Sequence, residues 1–132
     1  MPDRDDLWSN GAAGIPTPTT LQNALQGRAT PGVLYGIDGW TDEAATVYVC
    51  IFDSAAAVAN GNPPVPWPKH IIEIDKPGNG NFGTAIPPTG EYYYNGIWVA
   101  VSTTKLPNFT LSTNSKTSFN IQTSPEFGGG NP

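Results

Sequence analysis

Basic residues are scarce in this chain: six Lys and Arg stand against eleven Asp and Glu, for a net charge of −5 at pH 7. Phosphate binding needs clustered cations, so a nucleic-acid partner is not expected. Cysteine is nearly absent. The single Cys50 cannot close an intrachain disulfide, and it lies in the apolar run Val47-Tyr48-Val49-Cys50-Ile51-Phe52, where a buried thiol acting as a small hydrophobe is expected. With one Cys and one His in the chain, metal-ligand spacing is missing, and neither a metal nor a cofactor is predicted. No apolar stretch approaches the roughly 20 residues that span a bilayer, which argues against a membrane partner. The acidic start Met1-Pro2-Asp3-Arg4-Asp5-Asp6 has no apolar leader, so synthesis in a cytoplasm is expected.

Catalytic machinery is also thin. The sole histidine, His70, has no G-x-S-x-G or comparable nucleophile motif to serve. Asp38, Asp42 and Glu43 cluster at what reads as a turn without the dense oxygen pattern of a calcium loop. Glu73 and Asp75 share one face of a candidate strand whose other face carries Ile72 and Ile74, the pattern of a half-exposed strand rather than of a glycosidase pair. Phosphate-loop and dinucleotide-binding glycine patterns are missing. The sequon Asn108-Phe109-Thr110 has no secretory context. An enzyme is not expected.

Breakers and strand formers fill the space. At 132 residues the chain is the size of one domain, with 38% hydrophobic residues, 13% charged, 15 Gly and 14 Pro. Low charge with many breakers predicts short strands and long loops. From residue 33 apolar residues recur with a period of two, and about seven strands are expected: 33–38, 45–53, 70–75, 82–86, 97–103, 108–113 and 117–121. In the second, Val47, Val49 and Ile51 face one way and Tyr48, Cys50 and Phe52 the other, which predicts a central strand. Turn signals at Asp38-Gly39, Asn60-Gly61-Asn62, Pro77-Gly78-Asn79-Gly80 and Asn95-Gly96 separate the candidates. The fold class is therefore all-β, an antiparallel β-sandwich over residues 33–122.

Residues 1–32 read as an extended N-terminal arm, punctuated by Pro2, Pro16, Pro18 and Pro31. Leu21, Ala24 and Leu25 share a helical face ahead of Gly27, predicting a short helix over residues 20–27 that needs a surface to lie on. Residues 123–132 read as a flexible tail. Trp8, Trp40 and Trp67 fall in arm or loop positions and Trp98 in a strand; Tyr92-Tyr93-Tyr94 precede a turn. Loop aromatics pack on the sandwich rim, bury into a partner, or stack on a sugar, and these readings stay open. Trp8, Leu21, Leu25, Trp40, Trp67 and Tyr93 are the candidate partner-binding residues. The Pro-rich Asn62-Pro63-Pro64-Val65-Pro66-Trp67-Pro68 is expected to run extended along an edge.

Several segments together carry a resemblance. Gly32-Val33-Leu34-Tyr35-Gly36-Ile37-Asp38, then Thr46-Val47-Tyr48-Val49-Cys50-Ile51-Phe52-Asp53, then the Pro-rich span, Ile86-Pro87-Pro88-Thr89-Gly90, and Asn95-Gly96-Ile97-Trp98-Val99-Ala100-Val101-Ser102-Thr103-Thr104 resemble small β-sandwich proteins encoded among bacteriophage structural genes. The likeness covers roughly residues 32–113 and rests on turn and strand signatures. It implies a virion location and transfers no catalytic residue. The leading expectation is a capsid decoration or cement protein bound to the major capsid protein or another virion protein, and to copies of itself as a homo-oligomer such as a trimer. The alternative is a tail- or fibre-associated module that binds a receptor or carbohydrate.

Overall fold

The computed structural model describes residues 21–76, 80–84, 86 and 89–125. Among them eight strands form: β1 (Ala24–Arg28), β2 (Gly32–Thr41), β3 (Val47–Asp53), β4 (His70–Ile74), β5 (Asn81–Thr84), β6 (Glu91–Tyr93), β7 (Ile97–Ser102) and β8 (Thr117–Ser124). The described residues contain no helix. Every strand pairing is antiparallel. The first sheet runs β1-β7-β3-β4; in the second, β2 is flanked by β8 on one edge and by β5 and β6, end to end, on the other.

Alternation along the strands explains why two sheets pack in sandwich fashion. Val47, Val49 and Ile51 of β3, Ile97, Val99 and Val101 of β7 and Ile74 of β4 meet Leu34 and Ile37 of β2, Phe82 of β5, Tyr93 of β6, and Phe119 and Ile121 of β8 in one buried cluster. Burial of each such side chain contributes about 1.5–3 kcal/mol. β3 is central as its two-sided apolar pattern predicts, lying between β7 and β4. Its other face, with Cys50 and Phe52, packs with Ala100, Val58 and Phe109 in a second cluster. Two loops, residues 54–69 and 103–116, cover that outer face: Gly61 and Phe109 exchange backbone hydrogen bonds (3.1 and 2.8 Å), and the Phe109 ring meets Phe52 edge-on at 5.2 Å.

Several expectations are corrected. Residues 24–28, read as part of a short helix, are a strand: a two-turn helix is marginal alone, whereas Ala24, Leu25, Gln26 and Arg28 complete a ladder with Ile97–Ala100 of β7. The remainder of the expected arm, residues 1–20 with Trp8, lies outside the described residues, as do residues 126–132 of the expected tail. Asp38-Gly39 is not a turn. β2 continues to Thr41, and a Cβ at Gly39 would lie 2.0 Å from the Ser118 carbonyl and 2.7 Å from the Phe82 ring. That vacancy lets Phe82 and Phe119 meet edge to face across β2, with ring centroids 6.2 Å apart. Residues 108–113 make two isolated bridges, Phe109 to Gly61 and Leu111 to Ser102, instead of a strand, because Phe109 turns down onto β3. Asn95-Gly96 does turn the chain, but between sheets, from β6 to β7; at Gly96 (φ +152°) a Cβ would strike the Arg28 carbonyl and the Ala55 backbone.

Candidate functional site

β4 and β6 belong to different sheets, and the polar side chains at their starts meet between them. His70 Nε2 and Glu91 Oε1 are hydrogen-bonded at 2.7 Å, and Tyr93 Oη donates to the same Oε1 at 2.8 Å. Lys69 Nζ donates to the Tyr92 carbonyl (3.0 Å), lies 3.9 Å from Glu91 Oε2, and stands 4.5 Å from the centre of the Tyr93 ring. The group thus ties one sheet to the other with charge-assisted hydrogen bonds and a cation–π contact. Below it, the Asp53 carboxylate accepts the backbone N–H groups of Tyr94 (3.0 Å) and Asn95 (2.8 Å), while Lys69 N–H donates to the Ile51 carbonyl (2.7 Å). Both segments are therefore anchored to the C-terminal half of β3.

The clasp has acid–base groups but a structural arrangement. Burial pushes the Tyr93 phenol well above its ordinary range, with the Glu91 hydrogen bond, the Glu91 charge and the Asp53 charge adding to it. Glu91 is engaged by three neighbours at once.

Four large apolar side chains on the chain segments that carry this clasp remain in solvent: Val65 (85% exposed), Trp67 (51%), Ile71 (41%) and Tyr94 (72%). Trp67 precedes Lys69 by two residues, Ile71 follows His70 and Tyr94 follows Tyr93. The Tyr94 ring is held edge-on to Tyr92 at 4.9 Å. These exposed side chains, taken together here as the rim, lie on the two chain segments that the clasp joins.

The six sequence candidates divide sharply. Trp67 is on this rim. Leu21 and Trp40 are also exposed but belong to the β8 and β2 side of the second sheet: Gln22 pairs with Thr117, and Trp40 sits in β2, not in a loop. Leu25 is partly buried and packs against the inter-sheet cluster, and Tyr93 is fully buried in it. The physical reason is strand alternation, which turns Tyr93 inward and leaves Tyr92 and Tyr94 outside. Trp8 lies outside the described residues. Val65, Ile71 and Tyr94, exposed in the structure, are not among the sequence candidates.

A second polar group closes the other end of the sandwich. Glu43 is buried, with Ser112 Oγ donating to Oε2 (2.5 Å) and Asn114 Nδ2 to Oε1 (3.2 Å). It borders a cleft of about 320 Å³ between residues 43–47 and the 103–116 loop. Lys116 is the only other charged group in that lining. Among the described residues no three His, Cys, Asp or Glu gather as metal ligands, and no helix is long and apolar enough to cross a membrane. Comparison with protein-family models, with curated proteins and with solved structures returns no match.

Proposed function

We propose that this chain is a non-catalytic structural module of a bacteriophage virion, a head decoration or cement protein that docks a protein surface through the rim of Val65, Trp67, Ile71 and Tyr94. The observation that carries the reading is the exposure of these four side chains beside a clasp that holds them in place. Clustered exposed apolar side chains on an otherwise well-packed domain mark interaction surfaces, and aromatic residues supply most of the energy where they seat in a partner's pocket. Pre-positioning by Lys69, His70 and Glu91 reduces the ordering cost of binding. The resemblance to small phage β-sandwich proteins over roughly residues 32–113 supplies the virion setting. Repeated copies on a symmetric shell, themselves associating as a homo-oligomer, multiply a modest contact into stable attachment.

The docking step is tested by adding purified protein to shells that lack it. Trp67→Ala together with Tyr94→Ala should abolish shell binding while leaving the melting transition in place. Undiminished binding by that double variant would move the contact elsewhere.

A further inference from the structure

We propose that the outer face of the second sheet, over β2 and β5, is a binding site for a neutral oligosaccharide, stacked on Trp40 and hydrogen-bonded by Asp38 and Asn81. Register places these groups. Trp40 pairs with Asn81 on β5 and Ser118 on β8; Asp38 pairs with Gly83 on β5 and Asn120 on β8. Directly paired residues share a face, as do residues two apart on one strand. Ile37, Phe82, Phe119 and Ile121 mark the inner face, so Asp38, Trp40, Asn81 and Gly83 form a two-by-two block on the outside.

All four positions of that block are exposed, Trp40 by 40%. The indole Nε1 edge leans towards Gly80, where an added Cβ would come within 3.3 Å of it, so the ring is propped over the start of β5. Gly83 leaves a recess: a Cβ there would find only the Asp38 side chain and backbone and the Ile37 carbonyl, none nearer than 3.5 Å. The recess has an indole diagonally across it, a carboxylate beside it and an amide two residues along the strand.

This combination suits a sugar. The apolar face of a pyranose stacks on an aromatic ring, while its hydroxyls need a group that only accepts, such as Asp38, next to an amide that both donates and accepts, such as Asn81. The block and its β8 neighbours contain no Lys or Arg, and the chain carries a net charge of −5, so uronic-acid or phosphorylated glycans are repelled. The site is on a different face from the apolar rim and does not depend on it. In a virion it would give a particle weak, repeated attachment to a glycan-coated surface.

The test is titration of the full chain with neutral hexasaccharides, cellohexaose, chitohexaose, maltohexaose and laminarihexaose, followed by tryptophan fluorescence and saturation-transfer NMR. At least one should bind, and Trp40→Ala or Asp38→Ala should weaken it roughly tenfold, the scale of one lost stacking or polar contact. Trp40→Tyr should retain most of the affinity and Trp67→Ala all of it, with melting unchanged in each. No response to any of the four, a response that survives Trp40→Ala, or selective binding of a lysine-rich peptide instead would overturn the proposal. Shell binding measures the rim, so either site can fail without the other.

Discussion

Single residues in this protein are held to narrow tolerances by their neighbours. Gly39→Ala introduces a methyl group onto the Ser118 carbonyl and the Phe82 ring, so β2 and β8 must separate locally. Chemical denaturation should show a loss of about 1–3 kcal/mol or more, and a loss near zero would mean the ladder yields easily. Val49→Asp, an unpaired charge at a fully buried position in the central strand, should cost roughly 4 kcal/mol or more and abolish cooperative melting. Two buried groups give an alkaline signature. The Cys50 thiol is pushed up to about 12 by burial, and the Tyr93 phenol is raised by burial and by Glu91. Each has a folded value above its unfolded one, so each contributes stability that is complete below the unfolded value, roughly 8.5 for Cys and 10 for Tyr, and lost as pH rises further. Denaturation midpoints should therefore decline above about pH 8.5, and Cys50→Ala should remove the earlier part of the decline. An unchanged slope in that variant would contradict the assignment. Tyr93 also shows where sequence fell short: a run of three tyrosines before a turn does not say which one faces inward, and only pairing with Gly32 of β2 decides it.

At the scale of elements, period-two alternation was enough to find six strands, because each has a buried face that demands it. β1 and β6 escaped for different reasons. β6 is three residues long, too short for a period to appear. β1 carries Ala24, Leu25 and Gln26, all compatible with a helix, and its strand conformation comes from the open edge of β7. Segment 21–28 also links the sheets, since Gln22 exchanges backbone hydrogen bonds with Thr117 of β8 (2.7 and 3.0 Å) before β1 joins β7. A chain beginning at Leu21 should keep a single cooperative melt, whereas one beginning at residue 29 should melt at least several degrees lower and associate through the bared edge of β7. Equal melting temperatures for the two truncations would mean that β1 adds little. The rim was half readable for a related reason. Proline density exposed the Trp67 segment to attention, but Ile71 looks like a core residue until β4 is known to be an edge strand whose outer face nothing packs upon fully.

For the whole molecule, the organising fact is asymmetry. The first sheet has its outer face covered by the chain's own loops, one of which carries the exposed Val65 and Trp67 just ahead of the Lys69, His70 and Glu91 clasp. The second sheet offers an exposed block of tryptophan, carboxylate, amide and glycine. The two sheets thus present dissimilar outward surfaces. What composition does not contain is which aromatics stay in solvent, since that depends on strand order. We propose that this module is a head decoration protein of a virion. Quantitative mass spectrometry of purified particles tests this most directly: a copy number comparable with that of the major capsid protein is expected, and a handful of copies per particle, or none, would contradict it.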